Sequence, residues 1–253
     1  MAQTRVGVQL IVYGRRAGAD LPGVLTEVAA ADYAGFEGGL PRSEAEVERL
    51  RTAAKKAGIA YIGGHGGLGD LKDLTALRKR IGYVKALGGR FVISSGDSSL
   101  NTLDGYLDAA KTMNQAGRVC QEEGVTLCYH NHHWEFRKIG GKVAMHAMIA
   151  ATDPELVKLC PDIYWVHVGG EKPAEFSERY RDRCIYFHFK DGTGGDGDAD
   201  FRELGKGKVD IPAALKAALA CKPEWIVVEQ DTSQIGPTES CRISREYLKG
   251  LGI

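Results

Sequence analysis

No apolar run in the 253-residue chain approaches the roughly 20 residues that a membrane span requires. Met1-Ala2-Gln3-Thr4-Arg5 leads into a strand-like run rather than the apolar core of a signal peptide, so a cytoplasmic location without a membrane partner is expected. An excess of positive charge is also missing. Lys plus Arg and Asp plus Glu stand at 33 each, which removes the broad field that nucleic-acid binding uses. No Cys-x-x-Cys pair occurs among the six cysteines, several of which lie in apolar runs, and scattered cysteines of this kind read as reduced, buried thiols. Nor is there a phosphate-binding glycine fingerprint. Tyr13-Gly14-Arg15-Arg16-Ala17-Gly18 is a poor match to Gly-x-Gly-x-x-Gly, and no Walker loop is present, which weighs against a doubly wound nucleotide-binding sheet.

What remains is an ordinary globular composition, 43% hydrophobic and 26% charged, with no low-complexity linker. Strand signals alternate with helix signals along its whole length. The strand-like runs cover 6–13, 36–40, 59–65, 90–96, 125–135, 156–162, 184–191 and 225–231, and the intervening segments carry helical apolar spacing. Examples are Leu21, Val24, Leu25 and Val28 in the first helix, and Val47, Leu50, Ala53 and Ala54 in the second. Ser43 with Glu46 three residues on reads as a capping box, and Gly58, Gly88 and Gly124 close successive helices. Eight strand–helix repeats predict a single (β/α)8 TIM barrel over residues 1–253.

In such a barrel the C-terminal strand ends converge on one mouth, so residues far apart in sequence can share a site. The densest stretch is Cys128-Tyr129-His130-Asn131-His132-His133-Trp134-Glu135-Phe136, which reads as a buried strand running into polar side chains. The four last strands end near Glu135, Asp162, His188 and Glu229. A carboxylate or imidazole at four successive strand ends is costly to bury without a cation. The expected ligands are therefore these four, around a divalent metal: Mn2+ foremost, with Mg2+, Co2+ or Zn2+ as the other candidates.

Several motifs also resemble the xylose isomerase-like superfamily of sugar isomerases, epimerases and inosose dehydratases. They are the Asn114-x-x-Gly117 helix, the Tyr129-His130-Asn131-His132 to Glu135-Phe136 strand, His188-Phe189-Lys190-Asp191, Gly205-Lys206-Gly207-Lys208-Val209-Asp210 and Val228-Glu229-Gln230-Asp231. The resemblance implies the same four ligands and a histidine closing strand three, matched by His65. It implies substrate contacts from His65, His130, Asn131, Trp165 and Lys190. One departure stands out: many members close strand two with a glutamate, where this chain has Gly38-Gly39-Leu40.

The expected chemistry is α-proton abstraction next to the carbonyl of a keto-sugar or sugar phosphate, through an enediolate stabilised by the cation. Glu135 and Glu229 would move the proton on opposite faces, with Lys190 donating to an oxygen. This describes a metal-dependent sugar isomerase or epimerase, compatible with a homo-oligomer. A keto-inositol or keto-sugar dehydratase on the same apparatus is the alternative. A non-catalytic sugar-binding barrel and an endonuclease IV-type DNA hydrolase are rivals, the last disfavoured by the absence of a basic groove.

Overall fold

Strand β1 (Arg5–Gln9) pairs in parallel with β2 (Gly35–Gly39) on one side and with β8 (Trp225–Val228) on the other. The computed structural model describes residues 4–194 and 200–253, so 195–199 of the glycine-rich segment 192–207 lie outside the described residues. From β2 the sheet continues through β3 (Ala60–Gly67), β4 (Phe91–Ser95), β5 (Thr126–His130) and β6 (Val157–Cys160), and from β8 it continues to β7 (Tyr186–Phe189). Every named pairing in this sheet is parallel. Bridges Leu159–Cys184 and Asp162–His188 bring β6 against β7 and close a (β/α)8 barrel. That seam is thinly bonded. Pro161 has no N–H to give, and its carbonyl accepts from His188 N at 3.0 Å.

Eight helices return the chain between strands: α1 (Leu21–Ala30), α2 (Glu44–Ala57), α3 (Leu74–Ala86), α4 (Leu103–Glu122), α5 (Ala144–Ala151), α6 (Pro173–Arg179), α7 (Ile211–Ala220) and α8 (Pro237–Gly250). Their starts are set by side chains. Asp20, Ser43, Asp73, Thr102 and Asp210 each accept from a backbone N–H of the first turn. Gly58 ends α2 in the left-handed region at φ 70°. Among the described residues no helix is long and apolar enough to cross a membrane.

Outward-facing strand residues such as Val8, Phe36, Val92, Leu127, Phe187 and Ile226 pack under the helices. Inward-facing ones form a separate apolar floor of Ile62, Phe91, Ile93, Cys128, Cys160, Tyr186, Trp225 and Val227. Gly7 and Gly35 make room for it, because a Cβ at either would stand within 3.0 Å of the Ile62 side chain and one at Gly35 would also meet the Trp225 ring at 2.9 Å.

Strand ends at β6, β7 and β8 fall two or three residues short of the sequence reading, and two others, at β1 and β5, fall short by four or five. The first apolar run stops as a strand at Gln9, and Leu10–Tyr13 turns into a 3-10 helix whose Leu10, Val12 and Tyr13 are buried. Burial, not strand geometry, accounts for its hydrophobicity. Strand β5 stops at His130, and Trp134–Phe136 forms a 3-10 turn beyond it. Glu135 is therefore not the last residue of a strand.

Candidate active site

The pleat decides which side chains face the mouth. In β7 the inward series is Tyr186, His188 and then Lys190, and in β8 it is Trp225, Val227 and then Glu229, so each strand passes from apolar floor to polar rim within two or four residues. On β5 the last inward position is His130. Between β2 and β3 a register shift at Phe36/Glu37 pairs Glu37 with Gly63 instead of Ile62. That bulge lets both Ile62 and His65 point inward, although they stand an odd three positions apart in the chain.

Four ligand-bearing side chains converge: His130, Asp162, His188 and Glu229 each offer one atom, and these atoms lie within 4.8 Å of one another. All four are at most 5% exposed. Three of the expected ligands are thus brought together, while the fourth position belongs to His130, which had been read as a substrate contact. Glu135 is elsewhere, as a consequence of the early end of β5. Its Oε1 accepts from Tyr129 OH at 2.7 Å and its Oε2 from His132 N at 2.8 Å, so it braces the turn after the strand. Burial pushes this carboxyl up to about 7, against the lowering effect of those bonds.

The convergent atoms lack hydrogen-bond partners. Both ring nitrogens of His130, Oδ2 of Asp162, Nδ1 of His188 and Oε2 of Glu229 are buried and unpaired. Approaches such as His188 Nδ1 to Glu229 Oε2 at 2.5 Å and His130 Nε2 to Asp162 Oδ2 at 3.4 Å are close without being aligned as hydrogen bonds. In Asp162, His188 and Glu229 the second side-chain atom is engaged. Asp162 Oδ1 accepts from Tyr164 N and Trp165 N at the start of the short helix Ile163–Val168. Buried, unpartnered ligand atoms drawn together in this way fit a divalent cation. The donor set is two imidazoles and two carboxylates, softer than the one imidazole and three carboxylates of the sequence reading.

Lys190 completes the charge balance. Its ammonium is fully buried, 2.5 Å from Glu229 Oε1, 2.9 Å from Asp231 Oδ2 and 3.2 Å from Asp162 Oδ2. It also lies 4.9 Å from the centroid of the Trp165 ring. One cation among three carboxylates leaves the cluster acidic. Burial raises Asp162 and Asp231, whereas Glu229 sits well below the usual carboxylate range because Lys190 and His188 outweigh its burial. His130 is pushed well down, first by burial and then by the charge of His188, so it stays a neutral lone-pair donor. Burial disfavours a charged His188, but Cys160, Glu37 and Glu229 outweigh it and raise its affinity for a proton, which a cation at Nδ1 would displace.

Above the cluster a cavity of about 410 Å3 is lined by Gln9, Arg42, His65, Ser95, His132 and Asp231, and reaches His130 and Glu229 at its base. Of the expected substrate contacts, His65 and His130 face it. Asn131, Trp165 and Lys190 stand outside its lining. Asn131 clamps β5 to β6, its Oδ1 accepting from Asp162 N at 3.1 Å and its Nδ2 donating to Asp162 O at 3.4 Å. His132 stacks on Trp134 with centroids 4.1 Å apart. Sequence reasoning missed Glu37, which is fully buried and bonded to His65, Tyr186 and His188. A carboxylate inside the strand Gly35–Gly39 was the available signal, since such a charge needs partners.

A model of the xylose isomerase-like TIM barrel family matches residues 25–251. The chain belongs to that family. Inosose dehydratase of Geobacillus kaustophilus (strain HTA426) is 29% identical over 157 residues, 55% of this chain and 50% of that protein. The matched part thus spans about half the length of this curated relative. Among solved structures, a sugar phosphate isomerase/epimerase from Parabacteroides distasonis ATCC 8503 superposes with a TM-score of 0.85 at 20% identity over 98% of both chains. The IOLI protein, crystallised with a zinc atom, superposes with a TM-score of 0.77 at 13% identity, again over 98% of each chain. These structural matches show a shared xylose isomerase-like fold.

Proposed function

We propose that this barrel is a metal-dependent enzyme that removes the proton next to the carbonyl of a keto-sugar or keto-inositol, returning it as an isomerase or epimerase. The observation that carries the reading is the convergence of unpaired buried lone pairs from His130, Asp162, His188 and Glu229 beneath an open cavity. Those four residues would hold a divalent cation, with Mn2+, Co2+ or Zn2+ better matched to two imidazoles than Mg2+. When bound, the cation supplies Lewis-acid polarisation of a carbonyl and its neighbouring hydroxyl.

The remaining work falls to side chains of the chain itself. Glu229, the one acid that both belongs to the cluster and lines the cavity, is positioned to take the α-proton. Lys190, 2.5 Å from it, holds that carboxylate ionised and ready to accept. On the opposite wall His65 faces the cavity and can hand a proton to the enediolate or to a substrate oxygen. Glu135, engaged with Tyr129 and His132, is assigned to bracing the turn. Small sugars or their phosphates fit the cavity, with Arg42 as the exposed cation at its rim.

A second reading is favoured by the curated relative, which is named an inosose dehydratase. If the hydroxyl on the carbon next to the abstracted proton leaves with a proton from His65, the same proton abstraction ends in loss of water. One experiment separates the outcomes: keto-sugars and keto-inositols are incubated with the protein and Mn2+ in deuterated water, followed by mass spectrometry. Solvent deuterium in an isomer supports the first reading, and a product lighter by water supports the second. No label uptake and no water loss across the panel would sink both.

A further inference from the structure

Glu37 has no exposed surface and three close partners. Its Oε2 lies 2.7 Å from Tyr186 OH and 2.8 Å from His188 Nε2, and its Oε1 lies 2.9 Å from His65 Nδ1. Both carboxyl oxygens are met by these three groups, each of which can donate, and a carboxyl so surrounded is held as the carboxylate. An ionised carboxylate only accepts, and therefore every partner must donate. This places a proton on His188 Nε2 and a proton on His65 Nδ1. The opposite nitrogens then have defined tasks. His188 Nδ1 points at Glu229 and the convergent cluster, and His65 Nε2 points to Ser95 Oγ at 3.3 Å on the cavity wall.

We propose that Glu37 is a positioning residue that fixes two imidazoles at once, turning His188 so that Nδ1 serves the cation site and His65 so that Nε2 serves the substrate. The cation half rests on the metal-dependent reading above; the placement of the two protons does not. A carboxylate behind a metal-binding histidine fixes ring orientation and raises ligand basicity, and its loss weakens metal affinity about 10–100-fold. Here one carboxylate from β2 reaches strands β3 and β7, which are not neighbours in the sheet, so it ties opposite walls of the mouth together. Glutamine cannot replace it. Its single carbonyl oxygen serves one imidazole, and its amide presents a donor to the other.

The test uses histidine labelled with 15N in the full chain and long-range proton–nitrogen correlation spectra, recorded with and without Zn2+ as the diamagnetic probe. Resonances are assigned through His65→Gln and His188→Gln. The wild type is expected to show His65 protonated at Nδ1 throughout and His188 protonated at Nε2 throughout, with the His188 Nδ1 resonance displaced when Zn2+ is added. Glu37→Gln is expected to remove at least one of the two assignments and to weaken Zn2+ binding, measured by competition with a chromogenic chelator, by about 10–100-fold. Tyr186→Phe, which removes only the third donor, should keep both tautomers. A wild-type spectrum with His65 bare at Nδ1, or with His188 bare at Nε2, overturns the proposal even if Glu37→Gln fails to fold. Unchanged tautomers and Zn2+ affinity in a folded Glu37→Gln protein overturn it as well. Correct tautomers in a protein that exchanges no substrate proton would leave this inference standing and remove the functional reading instead.

Discussion

The floor and the mouth of the barrel are built by the same strands, yet they obey different rules. At the floor, Ile62, Phe91, Tyr186 and Trp225 are packed as any core is packed, and Gly7 and Gly35 are there to admit them. One pleat repeat higher, the inward positions are His130, His188 and Glu229, and lone pairs go unpaired. The floor maximises apolar burial; the mouth leaves buried polar atoms without hydrogen-bond partners. Strand β7 shows the change most sharply, because Tyr186 donates to Glu37 from below while His188 meets the same carboxylate from the side. The lower layer thus supports the upper one through a hydrogen bond as well as through packing.

This contrast can be broken deliberately. The largest effect is expected from Glu229→Gln, which should slow solvent deuterium exchange into substrate by about 10^2–10^4-fold, the usual worth of a positioned base. Because Lys190 keeps Asp162 and Asp231 as partners, the variant's thermal midpoint should fall less than that of Trp225→Ala. An unchanged exchange rate would take Glu229 out of the base role. Trp225→Ala should do the reverse: a urea titration should show a loss of about 3–5 kcal/mol, while the folded fraction keeps its cation affinity.

A third prediction concerns the turn above β5. Glu135 has a folded pKa raised to about 7 from an ordinary value of 4.5. The folded state therefore holds its proton more tightly than the unfolded chain does. Its contribution is most favourable at low pH, and is lost as pH rises from about 4.5 through 7, on the order of 3 kcal/mol in all. Denaturation of wild type against Glu135→Gln should show the wild type's relative stability falling across that window. A flat difference would mean that the carboxyl is not buried as described.

The smallest effect separates the two claimants for the fourth ligand position. His130→Ala should weaken Mn2+ binding at least tenfold, about 1.4 kcal/mol, and Glu135→Ala by less than threefold, as read by calorimetry. The opposite ranking would return Glu135 to the cluster and displace His130.

The barrel was legible because parallel strands covered on both faces read as apolar runs, and because signals such as the Ser43 cap and the closing Gly58 mark where a helix begins and ends. Asp162, His188 and Glu229 were legible because each follows directly on such a run. The position of Glu135 was not. From Tyr129 to Glu135 every residue is polar or aromatic, and nothing local distinguishes a strand continuing to Glu135 from a strand that ends at His130 and turns. Glu37 was hidden for another reason. The inward direction of His65 and the partners of Glu37 depend on a register shift between β2 and β3, which is a property of paired strands and not of either one alone.

The sparse bonding between β6 and β7 has a consequence for how the molecule breathes. Pro161 removes one rung from that seam, and Asp162 and His188 stand on its two sides. An ion gripped by both would act as a rivet across the least-laced join of the cylinder, adding stability that grows with the logarithm of its free concentration. Amide exchange at Leu159, Ile185 and His188 should then slow on loading far more than exchange around the β1–β8 join, where four consecutive residue pairs already hold the wall shut.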